Sequence, residues 1–438
     1  MGIENIQSRS QARFTFATVR FRLLCAVVVV CAWIASAFGA EKSAPLSAQQ
    51  IAGQFAAGVA LLDKSYWSPA LGIWLDRPGD DLRAHYEGRR NPPWWSSANA
   101  VEVLIDFMNA TGGTSEDTRI ATLYDLQKNR TAQLARVVAE LKRRRQWSDA
   151  DEQTFMHRQK EAAARKPDAG AYYTDFQNEY LDDSGWWAVT WLKFYERTHD
   201  PKYLATAKNI HAHMAKNWRP DKGGGVLWCE EEDKQQLNAI TNNLFLILSA
   251  RIYRQTKEQF YLDWAVKTHA WIREKALYDG TAVVDGPGHR GDYWSYNQGA
   301  FIGGLCALFQ ATGKQEYLDD AVKVAATVLT KSGLARPDGV LVEKLGTGGD
   351  ATLFKGVFAR YLGQLRDVLN DTKVHPEMSQ QIELHLRASV ASFLQHSVGT
   401  DALFTAEWHE GAKDRAANFN TQTSALSALG ALIPAKVR

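Results

Sequence analysis

The stretch Glu179-Tyr180-Leu181-Asp182-Asp183-Ser184-Gly185-Trp186-Trp187 is the part of the chain best equipped for chemistry. Two adjacent carboxylates precede two flat, apolar rings. Adjacent like charges oppose double ionisation, so one proton affinity should rise and the other fall. The pair opens an apolar helix, whose N-terminus favours an anionic member. The plain alternative is helix capping, because an Asp at an N-cap accepts backbone N–H groups. An unequal carboxyl pair can do more. One member stays ionised and meets an anomeric carbon while the other brings a proton to the leaving oxygen, which is the chemistry of glycoside hydrolysis. Consecutive Cα atoms lie about 3.8 Å apart. Short Asp side chains there suit the ~5 Å separation of retaining enzymes better than the ~6.5–9.5 Å of inverting ones.

Other helix starts carry aromatics and amides. They are Trp94-Trp95-Ser96-Ser97-Ala98-Asn99, Asn238 with Asn242 and Asn243, Trp294-Ser295-Tyr296-Asn297-Gln298-Gly299, Phe354-Lys355-Gly356 and Gln422-Thr423, with Trp228 in a linker. Eight of the 14 Trp beyond residue 37 fall in linkers or at such starts, whereas Trp used only as core filler would spread along the helices. Each amide alone reads better as a helix cap. Six polar-aromatic starts on one rim read as a ligand pocket. Its expected contacts are Trp95, Asn99, Trp186, Trp187, Trp228, Asn238, Asn242, Tyr296, Asn297, Gln298, Lys355 and Gln422.

A repeat of about 57 residues positions these groups. In Phe194–Leu204, Ile252–Leu262 and Leu308–Leu318 an aromatic precedes a Thr by three residues, and Tyr-Leu follows that Thr by five. An apolar run lies upstream of each Thr and an amphipathic pattern downstream, so each unit reads as a helical hairpin. Short β-prone linkers join the hairpins: Gly72–Asp76, Gly170–Asp175, Gly225–Glu230, Gly280–Asp285, Gly339–Glu343 and Ala402–Glu407. The apolar helices begin near Trp94, Asp182, Leu237, Trp294, Leu353 and Phe419. Six hairpins with an all-apolar inner set favour ring closure. The expected fold is an all-α (α/α)6 toroid, one domain over residues 45–435, with the linkers on one rim. The first two inner starts are 88 residues apart, which places an insertion near 115–168. Its basic run Lys142-Arg143-Arg144-Arg145 reads as a solvated helical face.

Residues 1–37 have the plan of a secretory signal: four Arg, an apolar run from Leu23 to Ile34 and small residues at Ala35-Ser36-Ala37, with cleavage after 37 or 39. Export is therefore expected, to periplasm, cell surface or medium, with no membrane span after cleavage. The rest of the chain has 47 basic and 48 acidic residues, which argues against nucleic acid or an anionic membrane as partner. Cys229 and Cys306 remain beyond the signal and read as two separate buried thiols. Glu230-Glu231-Glu232-Asp233 reads as a solvated acidic loop rather than a calcium site. No metal, cofactor or subunit partner is expected.

The order of Trp95-x-x-Ala98-Asn99, Asp182-Asp183 with Trp186-Trp187, Gly224-Gly225-x-x-Trp228, Asn238-Ala239 with Asn242, Tyr296-Asn297-Gln298-Gly299, Phe354-Lys355-Gly356 and Gln422-Thr423-Ser424-Ala425 resembles glycoside hydrolase family 76, the α-1,6-mannanases. The resemblance covers nearly all of the chain beyond the signal. It implies an (α/α)6 ring and a retaining, endo-acting hydrolase of α-1,6-linked mannan, with Asp182 as nucleophile and Asp183 as acid/base. The insertion and the acidic run at 230–233 depart from the pattern. Fungal members include wall-linking transglycosylases, so hydrolysis and glycosyl transfer both stay open, as does a related α-linked glycan as substrate. Two rival readings use the same ring. One is a catalytically silent glycan-binding wall protein, which aromatics and amides alone would serve. The other is a sugar isomerase or epimerase working through His pairs, for which only His289 and His409 lie in rim loops.

Overall fold

The computed structural model describes residues 46–434, apart from 80, 88–89, 166–173, 290, 292, 347 and 411–415. The signal at 1–37, the outer limits at 45 and 435 and most of the linker at 170–175 lie outside the described residues. Fifteen α-helices are described: α1 (Ala48–Tyr66), α2 (Leu82–Tyr86), α3 (Trp94–Thr111), α4 (Asp117–Lys128), α5 (Arg130–Arg143), α6 (Asp149–Arg165), α7 (Leu181–Thr198), α8 (Pro201–Lys216), α9 (Ala239–Thr256), α10 (Gln259–Glu274), α11 (Ser295–Thr312), α12 (Gln315–Thr330), α13 (Ala351–Thr372), α14 (Pro376–His396) and α15 (Phe419–Ala431).

The inner helices α3, α7, α9, α11, α13 and α15 each pack on the next, and α15 packs back on α3. The ring is closed, and the fold is an (α/α)6 barrel. Helices α8, α10, α12 and α14 cover α7, α9, α11 and α13, while α1 covers α15. The sixth hairpin is thus assembled from the two ends of the described chain. Close approach of inner helices depends on glycine. A Cβ on Gly356 of α13 would stand 2.4 Å from the Ser424 Cα of α15, and one on Gly299 of α11 would stand 2.8 Å from the Phe358 Cα of α13.

One device ends five inner helices. The hydroxyls of Thr111, Thr198, Thr256, Thr312 and Thr372 donate to the carbonyls of Phe107, Phe194, Ile252, Leu308 and Val368. The next residue, Gly112, His199, Lys257, Gly313 or Lys373, then turns left-handed and stops the helix. The buried rings of Tyr203, Tyr261 and Tyr317 fasten the returning outer helices.

On the opposite rim the linkers are knitted twice. Five of them make a short antiparallel contact with the end of an outer helix, Trp67–Trp74, Trp218–Val226, Tyr278–Val283, Ala335–Leu341 and Val398–Phe404. Only Trp67–Ser68 and Ile73–Trp74 form a two-stranded sheet among the described residues. The linkers also satisfy the first amide of a neighbouring inner helix, a group that has no partner within its own helix. Leu181 N–H donates to the Trp228 carbonyl (2.8 Å), Ala239 N–H to the Asp285 carbonyl (2.7 Å) and Ser295 N–H to Glu343 Oε2 (3.1 Å). Phe419 N–H donates to the Asp76 carbonyl (3.2 Å), which ties the last repeat to the first.

The inner set is not all-apolar, contrary to the sequence expectation. Glu102 of α3 is buried between Lys193 of α7 (3.1 Å) and Arg360 of α13 (3.5 Å), and Lys193 also meets Asp106 (2.7 Å). Burial pushes the Glu102 carboxyl up, but Arg360, Lys193 and Arg251 outweigh it and hold the group below the usual range. Buried charge is tolerated because each member faces an opposite one.

The insertion near 115–168 forms three helices, α4, α5 and α6. Its basic run is matched locally: Lys142 pairs with Asp149 and Glu152, and Arg143 and Arg144 pair with Glu140. Cys229 and Cys306 are separate buried thiols. No helix among the described residues is long and apolar enough to cross a membrane.

Candidate active site

A cavity of about 850 Å³ opens at the linker rim. Its wall is built largely from the first turns of inner helices. The second helical residue of four of them, Trp95, Asp182, Tyr296 and Asn420, lines it. Asp183, Trp186, Trp228, Asn238, Asp285, Asp350 and Phe354 complete much of the rest.

Neither Asp of the pair is the N-cap of α7; that position is Tyr180, which makes no side-chain cap. Asp182 accepts the Asp183 backbone N–H at Oδ1 (2.9 Å) and the Trp228 indole N–H at Oδ2 (2.9 Å). Asp183 accepts Asn178 Nδ2 at Oδ2 (2.9 Å). The orientation of that amide is set by its other end, since Asn178 Oδ1 accepts Tyr180 N–H (3.1 Å).

Both carboxyls are partly buried in the wall. Burial raises Asp182 to about 7, opposed by the donors from Asp183 and Trp228 and aided by the nearby charge of Asp350. Burial and then the charge of Asp182 raise Asp183 well above the ordinary carboxyl, opposed by Asn178 and aided by Asp350 and Glu179. Both proton affinities rise, so the fall expected for one member does not occur; two donors favour the anion on Asp182 and one favours it on Asp183, which leaves the pair unequal. Among the described residues five carboxyl groups line the cavity, those of Asp76, Asp182, Asp183, Asp285 and Asp350, with two exposed cations, Arg77 and Arg90. Such a basin disfavours anionic ligands and suits a neutral, hydroxyl-rich one.

Aromatic rings cluster in the lining. Tyr296 stacks on Phe354 with ring centroids 3.8 Å apart, and Trp95 contacts both Phe354 (6.0 Å) and Trp186 (5.8 Å). Trp95 Nε1 donates to Asp350 Oδ1 (3.0 Å). Tyr180 leans on Trp228 at 5.2 Å.

Of the expected site residues, Asp182, Asp183, Trp95, Trp186, Trp228, Asn238 and Tyr296 come together at this wall. Asn99, Trp187, Asn242, Asn297, Gln298, Lys355 and Gln422 do not, and each has a structural task instead. Asn242 accepts Val226 N–H (2.8 Å) and donates to its carbonyl (3.1 Å). Gln298 does the same for Val283 (2.9 and 2.5 Å). Gln422 accepts Phe404 N–H (3.0 Å) and donates to the Gly58 carbonyl (3.0 Å). Lys355 Nζ donates to the Ala406 carbonyl beneath the Trp408 ring. Asn99 bridges the Trp95 carbonyl and Arg360. Asn297 Nδ2 holds Asp285 (2.8 Å), and that carboxylate reaches the cavity. Trp187 is fully buried against Trp94, Phe176 and Trp191, so it is core filler after all, as are Trp74 and Trp408. His289 and His409 do not line the cavity.

The sequence reading missed Asn178, Asp350 and Asn420. Asn420 carried a signal, because it shares with Asp182 the second position of an inner helix. Asp350 is the N-cap of α13, directly before its aromatic first turn. Asn178 lies outside every repeated element.

A curated mannan endo-1,6-α-mannosidase of Saccharomyces cerevisiae is 28% identical to this chain over 275 residues, covering 57% of the chain and 59% of the relative. The chain therefore spans less than two thirds of that relative's length. Two solved structures share the fold. One is an inactive variant of an α-1,6-mannanase from Salegentibacter sp., with two consecutive aspartates replaced by alanine, in complex with α-1,6-mannotetrose. It has a TM-score of 0.65 and 20% identity and covers 87% of this chain and 98% of its own. The other is Dfg5 from Chaetomium thermophilum in complex with glucosamine, with a TM-score of 0.64 and 19% identity, covering 90% and 92%. The family model of glycosyl hydrolase family 76 matches residues 79–437, the greater part of the chain, and the chain belongs to that family.

Proposed function

We propose that this protein cleaves α-1,6-linked mannan internally and with retention, using Asp182 as nucleophile and Asp183 as acid/base. The observation that carries this reading is the unequal hydrogen bonding of two neighbouring carboxyls in the wall of an open cavity. Asp182 has two donors that stabilise its anion, and Asp183, beside that anion, is the member that retains a proton. In the first step a carboxylate oxygen of Asp182 bonds to the anomeric carbon. The bond from that carbon to the glycosidic oxygen breaks, and the proton of Asp183 passes to the departing oxygen. In the second step water attacks the same carbon, its proton returns to Asp183, and Asp182 leaves as a carboxylate. Two inversions return the original anomer.

Support comes from the family, from the name of the yeast relative, and from the inactive Salegentibacter mannanase, whose two replaced aspartates are also consecutive. A cavity near the upper end of the usual ligand range suits an oligosaccharide held at several sugars. Export and action on a wall or extracellular glycan belong to the same proposal.

The test is incubation of the purified protein with linear α-1,6-mannan, with product size followed by chromatography and first-formed anomer by proton NMR. Fast shortening with the α-anomer appearing first is expected. A β-anomer first would refute retention, and intact polymer would refute the function.

A further inference from the structure

Asn178 has no place in the repeat, yet the chain is forced into an unusual path to present it. Immediately upstream, Asp175 (φ 52°) and Phe176 (φ 65°) both sit in the left-handed region, which side chains other than glycine seldom adopt. Two consecutive residues of this kind persist only where the surroundings dictate them. The surroundings are on hand. The fully buried Phe176 ring lies among Trp94, Tyr124, Trp187 and Trp191, at centroid distances of 6.0, 5.5, 5.0 and 4.8 Å. Asp175 is held by Lys128 of α4 (2.6 Å) and by Asn209 of α8 (3.1 Å). Beyond this anchor, the Asn178 backbone N–H donates to Ser184 Oγ (3.1 Å) and its Oδ1 takes Tyr180 N–H. The buried Asn178 side chain has one free direction left, and there its Nδ2 meets Asp183.

We infer that Asn178 is a positioning residue that fixes the Asp183 carboxyl for proton transfer, and that the anchored turn at 175–176, gripped by the first helix of the insertion, exists to hold it there. The inference rests on the reading of Asp183 as acid/base. Groups facing Asp183 are Asp182 on the same helix, Glu179 on the loop and Asp350 at the start of α13, all acidic. The Asn178 amide is the side-chain donor that counters them, so its removal lets Asp183 bind its proton more tightly.

The test compares Asn178→Ala with Asn178→Asp. The second variant keeps an acceptor for Tyr180 N–H but cannot donate to Asp183. Cleavage of α-1,6-mannan oligosaccharides is followed from pH 4 to 9. The Asp183 carboxyl is titrated independently by carbon NMR on Asp-labelled protein, its signal identified by its loss in Asp183→Asn. Both variants should lose at least about tenfold in kcat with KM within about twofold. The alkaline limb and the Asp183 titration should move upward by about one pH unit in Asn178→Ala, and further in Asn178→Asp. Wild-type kcat, limb and titration in Asn178→Asp would overturn the inference. So would loss of folding in both variants, which would assign the side chain to the fold. Should the wild type leave mannan uncut while the titration still moves, the proposed function fails and the positioning of Asp183 stands.

Discussion

Asp182→Asn should make the protein more stable at neutral pH while abolishing its activity. The unfolded chain releases an Asp proton near pH 3.8, whereas the folded ring retains one on Asp182 up to about 7 and holds that of Asp183 more firmly than an ordinary carboxyl. The folded state therefore binds more protons between about pH 4 and 7. Its stability is complete below the unfolded value and declines as pH rises through the folded one. For Asp182 the rise of about 3 pH units corresponds to about 4 kcal/mol. Cavity water screens a partly exposed carboxyl, which leaves about 2 kcal/mol to be regained when the Asp182 charge is removed. Asn at 182 retains an oxygen for the Trp228 indole N–H, so little packing is lost. In a domain of this size the gain amounts to a melting point about 2–4 °C above wild type at pH 7, shrinking to nothing near pH 4. Differential scanning calorimetry from pH 4 to 8 at fixed ionic strength measures it. A variant that melts no higher than wild type at pH 7, or a gap of the same size at both ends, refutes the reasoning.

Trp228→Phe keeps a ring but removes the indole donor to Asp182. Its kcat/KM should fall about 10–100-fold, and the acidic limb of the pH profile should move upward, because the anion loses support; an unmoved limb would free Trp228 from that role. Gln298→Ala leaves the Val283 N–H and carbonyl without their buried partner. Urea denaturation should show a loss of about 2–4 kcal/mol with KM unchanged, whereas a raised KM at full stability would return Gln298 to the ligand contacts. Trp187→Ala should cost about 3–5 kcal/mol by opening a cavity in the aromatic core. Weaker oligosaccharide binding without that cost would reverse its assignment.

The architecture was legible because the Thr-ended turn recurs in five of the six inner helices and a linker precedes each of them, and the inner starts inferred at Trp94, Asp182, Trp294 and Phe419 lie within one residue of those observed. The roles of the amides were not legible from composition. Asn242, Gln298 and Gln422 all occupy the fourth position of an inner helix, where the side chain returns to a linker. Trp95, Asp182, Tyr296 and Asn420 occupy the second, where it meets the cavity. A shift of two residues, about 200° around a helix, separates the two tasks, and residue type is blind to it. The ionic chain through Glu102, Lys193 and Arg360 escaped for a different reason: its members are single charges on three helices far apart in sequence, and only closure brings them together.

The linker carbonyls and carboxylates that satisfy the first amides of neighbouring helices bear on how the molecule comes apart. An open stack of hairpins can unravel from its ends, since an outermost unit depends on one neighbour alone. Here the inner helices close on one another and Asp76 secures Phe419, so no unit is outermost, and loosening a linker that caps α7, α9, α11 or α15 strips a partner from the helix beside it. Melting should then be a single concerted event around the circle, and damage far from the aspartates will reach them by disturbing the same chain of borrowed caps.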